Sequence, residues 1–459
     1  DKYSAYADEL LLAALDAQAD MLRWDQATTD RIVAAVAEAG FASRWELAQA
    51  AHEETGIGIV ADKARKNAWA ARAIHADLAP RKSAGVISRD DAGQTVTYAF
   101  PRGVVLGLTP MTNPTSTVIA KVLMTLKARC PLILSPHRAA RKCSKLAVER
   151  LMDAAYALGV PRHAVQIVSK ADKAYVEAVL AHRKLALVFA TSTGKLVQWA
   201  QNSGRVTLGV GPGNVPVLVD DTADAPRVAD MLIESKCFDH GTVCASEQAL
   251  ILTPGAYDTV IPALLKLGAA NVPSESLDAL GRIAFDDEAR TMRAEVVGRS
   301  AHEIARRIDL DLPTNTRLLL AEIASVRSES GQAHPLAHEI LAPILTVIRA
   351  TDVAHGLQIA REILKLGGVG HTAVVHSANP DLIDALPAEL PAHRLLVNVP
   401  ATQGALGGFC TALRPSLSLG CGAAAGNDFA ANLTLEHLLV IQQVWRSIEA
   451  IAGTAPSTT

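Results

Sequence analysis

Cys244 stands in the segment Phe238-Asp239-His240-Gly241-Thr242-Val243-Cys244-Ala245-Ser246-Glu247-Gln248, between a helical stretch ending near Lys236 and a strand beginning near Gln248. A thiol on a loop beside glycine and small residues has the access that a nucleophile needs. The competing reading is an incidental loop thiol. Cys130, Cys143, Cys410 and Cys421 read as buried small hydrophobes or incidental thiols, and Cys237, seven residues before Cys244, as structural. No CxxC pair occurs among the six cysteines, so neither a disulfide framework nor a zinc ribbon is expected. His334 and His338 are four apart, but Pro335 disturbs any helix carrying both and HExxH is absent, so no metal site is expected.

A second place for chemistry is Ala190-Thr191-Ser192-Thr193-Gly194, which follows the apolar run 185–189 and opens a helical stretch. Small residues there let backbone N–H groups and the helix dipole meet a pyrophosphate. The alternative is ordinary N-capping by Ser192 or Thr193. Glycine-rich stretches at 209–214, 367–370 and 420–426 also invite a nucleotide reading. Gly209-Val210-Gly211-Pro212-Gly213-Asn214, however, lies between two β segments with no room for the helix that a dinucleotide fingerprint requires. All three stretches read better as turns needing positive φ.

The elements that must hold these groups follow from periodicity. Residues 4–80 repeat apolar positions at helical spacing, as in Leu10, Leu11 and Leu15. Residues 86–88 and 95–98 form a hairpin around the polar turn 90–93. Strands are expected at 104–108, 132–134, 165–168, 186–189, 206–210 and 215–219, with helices at 115–128, 139–158, 173–181 and 194–203 between them. A second alternation places strands at 249–252, 318–320, 344–348, 373–375 and 395–397. Such alternation predicts βαβ units in a doubly wound, Rossmann-type parallel sheet followed by a second α/β domain, with ligands beyond the carboxyl ends of the strands. Residues 386–391 read as a loop and 455–459 as a frayed tail.

The chain has 459 residues, 49% of them apolar and 20% charged, which excludes disordered and collagen-like classes. Its 44 Lys plus Arg against 47 Asp plus Glu give a net charge of −3, no footprint for nucleic acid or an anionic membrane. No run of 18 apolar residues and no basic-then-apolar N-terminus is present, so a cytoplasmic protein is expected. Because the chain starts at Asp1 without Met, a targeting extension could precede it.

Taken together, PMTNPTST (110–117), FDHGTVCASEQ (238–248), GVGPGN (209–214), GHT (370–372), EETGIGIVADK (53–63), VNVPATQGALGG (397–408) and SLSLGCG (416–422) resemble the CoA-acylating aldehyde dehydrogenases of the aldehyde dehydrogenase superfamily. The likeness covers nearly the whole chain. It implies that Cys244 attacks an aldehyde, that hydride passes to NAD+, and that coenzyme A takes the acyl group from the Cys244 thioester in ping-pong order. Asn113 and the backbone N–H of Cys244 would hold the oxyanion, and His371 would help deprotonate CoA. Thr191, Ser192, Thr193, Gly194, Ser135, Pro136, His137, Gly209, Gly211 and Glu339 would line the cofactor side, Glu339 on the nicotinamide ribose. Hydrolytic relatives carry a water-activating Glu in a segment resembling ELGGKNP. Here Gly209 aligns with it, which suits transfer to CoA. NAD is the expected cofactor, and because Ser135-Pro136-His137-Arg138 replaces the KPS motif the choice between NAD and NADP stays open.

The resemblance also implies residues 1–85 and 100–238 as the NAD/CoA-binding domain, 239–434 as the catalytic domain, and 86–99 with 435–459 as an arm pairing subunits into a homodimer or tetramer. Bifunctional aldehyde-alcohol dehydrogenases continue into an iron-dependent half, so a chain ending at Thr459 reads as the stand-alone form. Acetaldehyde or propionaldehyde is the expected substrate. Alternatives are sulfoacetaldehyde, whose sulfonate needs an Arg or Lys in the pocket, or a mainly structural partner inside a bacterial microcompartment.

Overall fold

The computed structural model describes residues 1–92, 94–169, 173–191 and 194–447. Gly93 of the expected turn, Ser192, Thr193 and the tail 455–459 lie outside the described residues.

Four helices come first: α1 (Lys2–Met21), α2 (Gln26–Ala42), α3 (Arg44–Thr55) and α4 (Val60–Leu78). The Asp1 carboxylate accepts from Tyr3 N and Ser4 N, and the Asp25 carboxylate accepts from Thr28 N, so α1 and α2 begin at N-caps. Ala7, Leu10, Leu11 and Ala14 form the buried stripe of α1. A hairpin follows, β1 (Gly85–Asp90) and β2 (Thr95–Pro101), in antiparallel register from Gly85 opposite Ala99 to Asp90 opposite Thr95.

The first parallel sheet comprises β3 (Val104–Thr109), β4 (Leu132–Pro136), β5 (Val165–Ile167), β6 (Leu185–Ala190) and β7 (Thr207–Gly209), in the order β5-β4-β3-β6-β7. Helices α5 (Pro114–Ala128), α6 (Arg141–Tyr156), α7 (Lys173–Ala181) and α8 (Gly194–Gln201) connect its strands. The order reverses between β3 and β6, which opens a crevice at their carboxyl ends. α5 is buried along its whole length and starts with Pro114, where a missing N–H costs nothing.

The second sheet contains β8 (Val215–Val219), β9 (Glu247–Leu252), β10 (Ala269–Asn271), β13 (Leu318–Glu322), β14 (Ile344–Arg349), β15 (Gly370–His376) and β16 (Ala392–Val397). Helix α9 (Ala225–Lys236) links β8 to β9, and the short hairpin β11 (Phe285–Asp286) with β12 (Thr291–Met292) stands apart. The order is β10-β13-β14-β9-β8-β15-β16, all parallel. Finally β17 (Leu439–Trp445) pairs antiparallel with β2, giving the hairpin a third strand.

Two α/β units and a β arm are therefore present as the sequence predicts, with two differences. The chain passes between sheets at 210–214, not at 238: β8 is buried on both faces and pairs with β9 and β15, so its apolar run belongs to the second core. A register shift at Val215/Pro216 absorbs the proline that an interior strand otherwise excludes. Residues 386–389 are helical, not looped. Leu382 and Leu386, one turn apart, are buried and hold the last turn of the helix Pro380–Glu389 despite Pro387. Among the described residues, no helix is long and apolar enough to cross a membrane.

Candidate active site

Cys244 precedes β9, Gly213 precedes β8, Glu339 precedes β14, and His371 begins β15. These groups gather at the amino-terminal edge of the second sheet, not at the carboxyl edge that a single doubly wound unit leads one to expect. That edge meets the carboxyl ends of the first sheet: Asn113, just beyond β3, donates from Nδ2 to the carbonyl of Thr242 at 3.1 Å.

The Cys244 loop is held from below. After α9 the backbone takes a tight turn with Asp239 at φ 49° and His240 at φ 54°. Consecutive non-glycine residues in the left-handed region cost about 1–3 kcal/mol each and persist only where the surroundings fix them. The buried Asp239 carboxylate is where they are fixed. It accepts from Ile59 N (2.6 Å), Lys63 Nζ (3.0 Å), Thr242 Oγ1 (2.8 Å) and Lys66 Nζ. Its own N–H donates to the Asp62 carboxylate at 2.8 Å. Burial alone would raise the Asp239 pKa, but Lys66 and Lys63 overrule it and hold the carboxyl below its ordinary value. Burial lowers Lys66 to about 8, with Asp239 opposing.

Asn113 occupies the N-cap position of α5, yet its side chain makes no cap bond. The Oδ1 atom accepts from Lys66, while Nδ2 donates to Thr242 O and, at 3.2 Å, to Thr112 Oγ1. The amide therefore faces the Cys244 loop.

Cys244 is half-buried, and its thiol is pushed up to about 12, first by burial and then by Glu339 and Cys421, with Arg394 pulling the other way. Glu339 Oε1 accepts from Gly213 N at 2.7 Å. Burial raises Glu339 to about 7 against Gly213 and Lys236. The Gly213 backbone lies directly on the Cys244 carbonyl, and Gly211 approaches Cys421. Gly209, Gly211 and Gly213 are not in the positive-φ region expected for turns. At Gly209 and Gly213, the missing Cβ admits close neighbours. At Gly209 the Cβ direction leads to Val197 Cγ1 at 2.4 Å, on α8.

His371 is fully buried. Nδ1 contacts Thr372 Oγ1 at 2.9 Å, and Nε2 has no partner among the described residues. Burial and the nearby Arg394 charge hold it well below its ordinary value, so the imidazole is neutral. No hydrogen bond joins it to Cys244 among the described residues. Arg394 spans Thr372 Oγ1 (3.2 Å), Ala430 O (3.2 Å) and Gly420 O (2.7 Å).

On the other side of the crevice, Ser135 and Pro136 end β4, and His137 N donates to Thr109 O at 3.1 Å. Thr191 Oγ1 contacts Ser418 Oγ at 2.8 Å and accepts from buried Lys121 at 3.1 Å. Gly194 opens α8. The buried Thr109 hydroxyl, at the end of β3, has no partner among the described residues. An orphan hydroxyl beside a helix start at the switch point fits a phosphate-bearing dinucleotide. His334 Nδ1 accepts from Leu336 N at 3.2 Å, and His338 stacks on Phe285 with ring centroids 4.1 Å apart. Among the described residues, no three His, Cys, Asp or Glu side chains group as a metal would need.

Sequence reasoning passed over Lys66 and Arg394, and quoted Lys63 and Asp239 only as parts of motifs. Lys63 and Lys66 carried a signal: three apart, they share one face of α4 with buried Ala70 and Trp69 nearby.

The aldehyde dehydrogenase family profile matches residues 2–280. The bifunctional aldehyde-alcohol dehydrogenase AdhE of Escherichia coli (strain K12) is 34% identical over 427 residues, covering 92% of this chain and 47% of that one. The chain thus spans about half the length of the bifunctional relatives it matches. Succinate-semialdehyde dehydrogenase (acetylating) of Clostridium kluyveri is 31% identical over 437 residues, covering 95% of this chain and 94% of the relative. An acetylating aldehyde dehydrogenase from Geobacillus thermoglucosidasius superposes with a TM-score of 0.94 at 33% identity, covering 98% of each chain. With the matched segment running from α1 past the Cys244 loop and into the second sheet, the chain belongs to the aldehyde dehydrogenase family.

Proposed function

We propose that the chain catalyses CoA-acylating oxidation of a short aldehyde, acetaldehyde or propionaldehyde, to an acyl-CoA with reduction of NAD+. The observation that carries this reading is the meeting of Asn113 with the Cys244 loop across the two sheet edges. Cys244 Sγ, once deprotonated, adds to the aldehyde carbonyl, and the resulting oxyanion is held by Asn113 Nδ2 and the Cys244 backbone N–H. NAD+, when bound, would supply the hydride acceptor. Glu339 would hold its ribose, Thr191 to Gly194 the pyrophosphate, and Ser135, Pro136 and His137 the adenosine side. The thioester left on Cys244 is then attacked by the CoA thiol, which releases acyl-CoA and restores Cys244.

Two relatives named above as acetylating, each 31–33% identical, support transfer to CoA rather than to water. His371, buried and neutral, can accept the CoA proton through Nε2. On β17, Val440, Ile441, Val444 and Trp445 are exposed. This apolar edge strand suits pairing with a second copy, as a dimer or tetramer.

The test is NADH formation from acetaldehyde, propionaldehyde and sulfoacetaldehyde, each with and without CoA, with mass analysis of the product. Sustained turnover only with CoA, and its loss in Cys244→Ala, is the expected result. Release of free acid without CoA, or turnover in Cys244→Ala, overturns the reading.

A further inference from the structure

Lys63 and Lys66 reach from one face of α4 to the same Asp239 oxygen, and all three side chains are buried. The lysines carry the same charge and share that partner. They differ in their other contacts. Lys63 Nζ donates to the Thr112 carbonyl at 3.2 Å, whereas Lys66 Nζ donates to Asn113 Oδ1 and to Thr242 Oγ1 at 3.3 Å. Thr242 Oγ1 accepts from Lys66 because its own hydrogen goes to Asp239 Oδ2.

An ammonium only donates. The Asn113 amide must therefore turn its oxygen to Lys66, which leaves Nδ2 facing Thr242 O and the Cys244 loop. A flipped amide would press two N–H groups against a buried cation and lose both bonds. The Thr242 carbonyl, which only accepts, favours the same orientation from the Nδ2 side, and the Asn113 side chain makes no cap bond to its helix. The Thr112 hydroxyl, which can donate or accept, would meet either end of the amide.

We infer that Lys66 is a positioning residue for the acyl-transfer chemistry: with the Thr242 carbonyl, it locks the Asn113 amide with Nδ2 toward the Cys244 loop, where the aldehyde carbonyl would lie. By drawing electron density to Oδ1, it also makes Nδ2 a better donor to the oxyanion. Lys63 compensates the charge of Asp239 and, among the described residues, makes no hydrogen bond to Asn113. The inference rests on the proposal that Asn113 is an oxyanion donor.

The test measures kcat and KM for acetaldehyde, with saturating NAD+ and CoA, in Asn113→Ala, Lys66→Met, Lys63→Met and the double variant Lys66→Met/Asn113→Ala. Asn113→Ala is expected to lose about 100- to 1,000-fold in kcat. Lys66→Met is expected to lose about 10- to 100-fold in kcat with KM for acetaldehyde within about threefold, and Lys63→Met less than about fivefold. Because Lys66 acts through Asn113, the double variant should be no slower than Asn113→Ala by more than about threefold. Equal losses in Lys63→Met and Lys66→Met, or a double variant showing the product of the single losses, would reduce Lys66 to a structural role. Asn113→Ala at wild-type kcat would remove the oxyanion reading itself, and the inference with it. Should Lys66→Met not fold, Lys66→Gln replaces it under the same criteria, since its amide can present either end to Asn113.

Discussion

The backbone of Gly213 lies so close to the carbonyl oxygen of Cys244 that a Cβ at residue 213 would stand 1.6 Å from it. No side chain fits there without moving the loop that carries the thiol. The N–H of the same residue reaches Glu339, so a shift at 213 displaces both sides of the site. Gly213→Ala is therefore expected to lower kcat by about 100-fold, the scale of a misplacement near 1 Å. In Gly367→Ala the new methyl would meet Pro212 Cγ at 3.4 Å and Cβ at 3.9 Å, ordinary contacts, and should lose less than about threefold. Equal kinetics of the two variants in NADH formation would show that the 213–244 contact does not set the loop.

The raised Cys244 pKa makes a prediction about the free chain. Burial, Glu339 and Cys421 all disfavour the thiolate and push the group to about 12. Labelling by iodoacetamide follows the thiolate fraction, so the rate at Cys244 should climb about tenfold per pH unit from 7 to 10. An ordinary thiol levels off near 9. Peptide mass analysis separates Cys244 from exposed Cys410. A plateau for Cys244 at or below pH 9 would mean that the loop stabilises the thiolate before any ligand arrives.

Much of this was legible in the sequence, for a physical reason. The parallel strands are continuous apolar runs flanked by helices, and 215–219 and 173–181 are found at the predicted bounds. What periodicity cannot show is which sheet a strand joins. The run 215–219 reads alike in either sheet, and only pairing with β9 and β15 assigns it to the second. Cys244 and Asn113 stand out as residue types on loops. Lys66 and Asp239 are 173 residues apart and look like solvated surface charges until the fold buries them together. The glycines of 209–214 show the same limit: sequence marks them as special but does not say whether φ or close approach requires them.

Glu247 makes stability fall with rising pH over a defined window. It is buried at the start of β9, accepts from Ser235 Oγ at 2.6 Å and Ala401 N at 2.8 Å, and is raised by burial from 4.5 to about 7. Between those values the native state holds a proton that the unfolded chain has released. Its contribution is therefore fully present below about 4.5 and is lost as pH rises through about 7. Glu339 adds a change of the same sign in the same window. In urea unfolding at pH 5, 6, 7 and 8, Glu247→Gln should gain stability relative to wild type as pH rises. A constant difference across the series would show that the carboxyl is ionised throughout.

The resemblance would set Gly209 where hydrolytic relatives carry their water-activating glutamate, so a glutamate there invites the expectation of a hydrolase. The geometry argues otherwise. The Cβ direction at 209 leads to Val197 Cγ1 at 2.4 Å and Thr207 Cγ2 at 3.4 Å, into the contact between β7 and α8. A carboxylate forced into that contact is overpacked and buried without a partner, which together cost about 3 kcal/mol or more. Gly209→Glu is thus expected to unfold at a lower temperature and to release no free acid without CoA. Thermal unfolding and mass analysis of the product distinguish the cases. Free acid from a variant of unchanged melting temperature would mean that a side chain at 209 can turn away from Val197 and reach the thioester on Cys244. In that event, the missing carboxylate alone would decide between water and CoA.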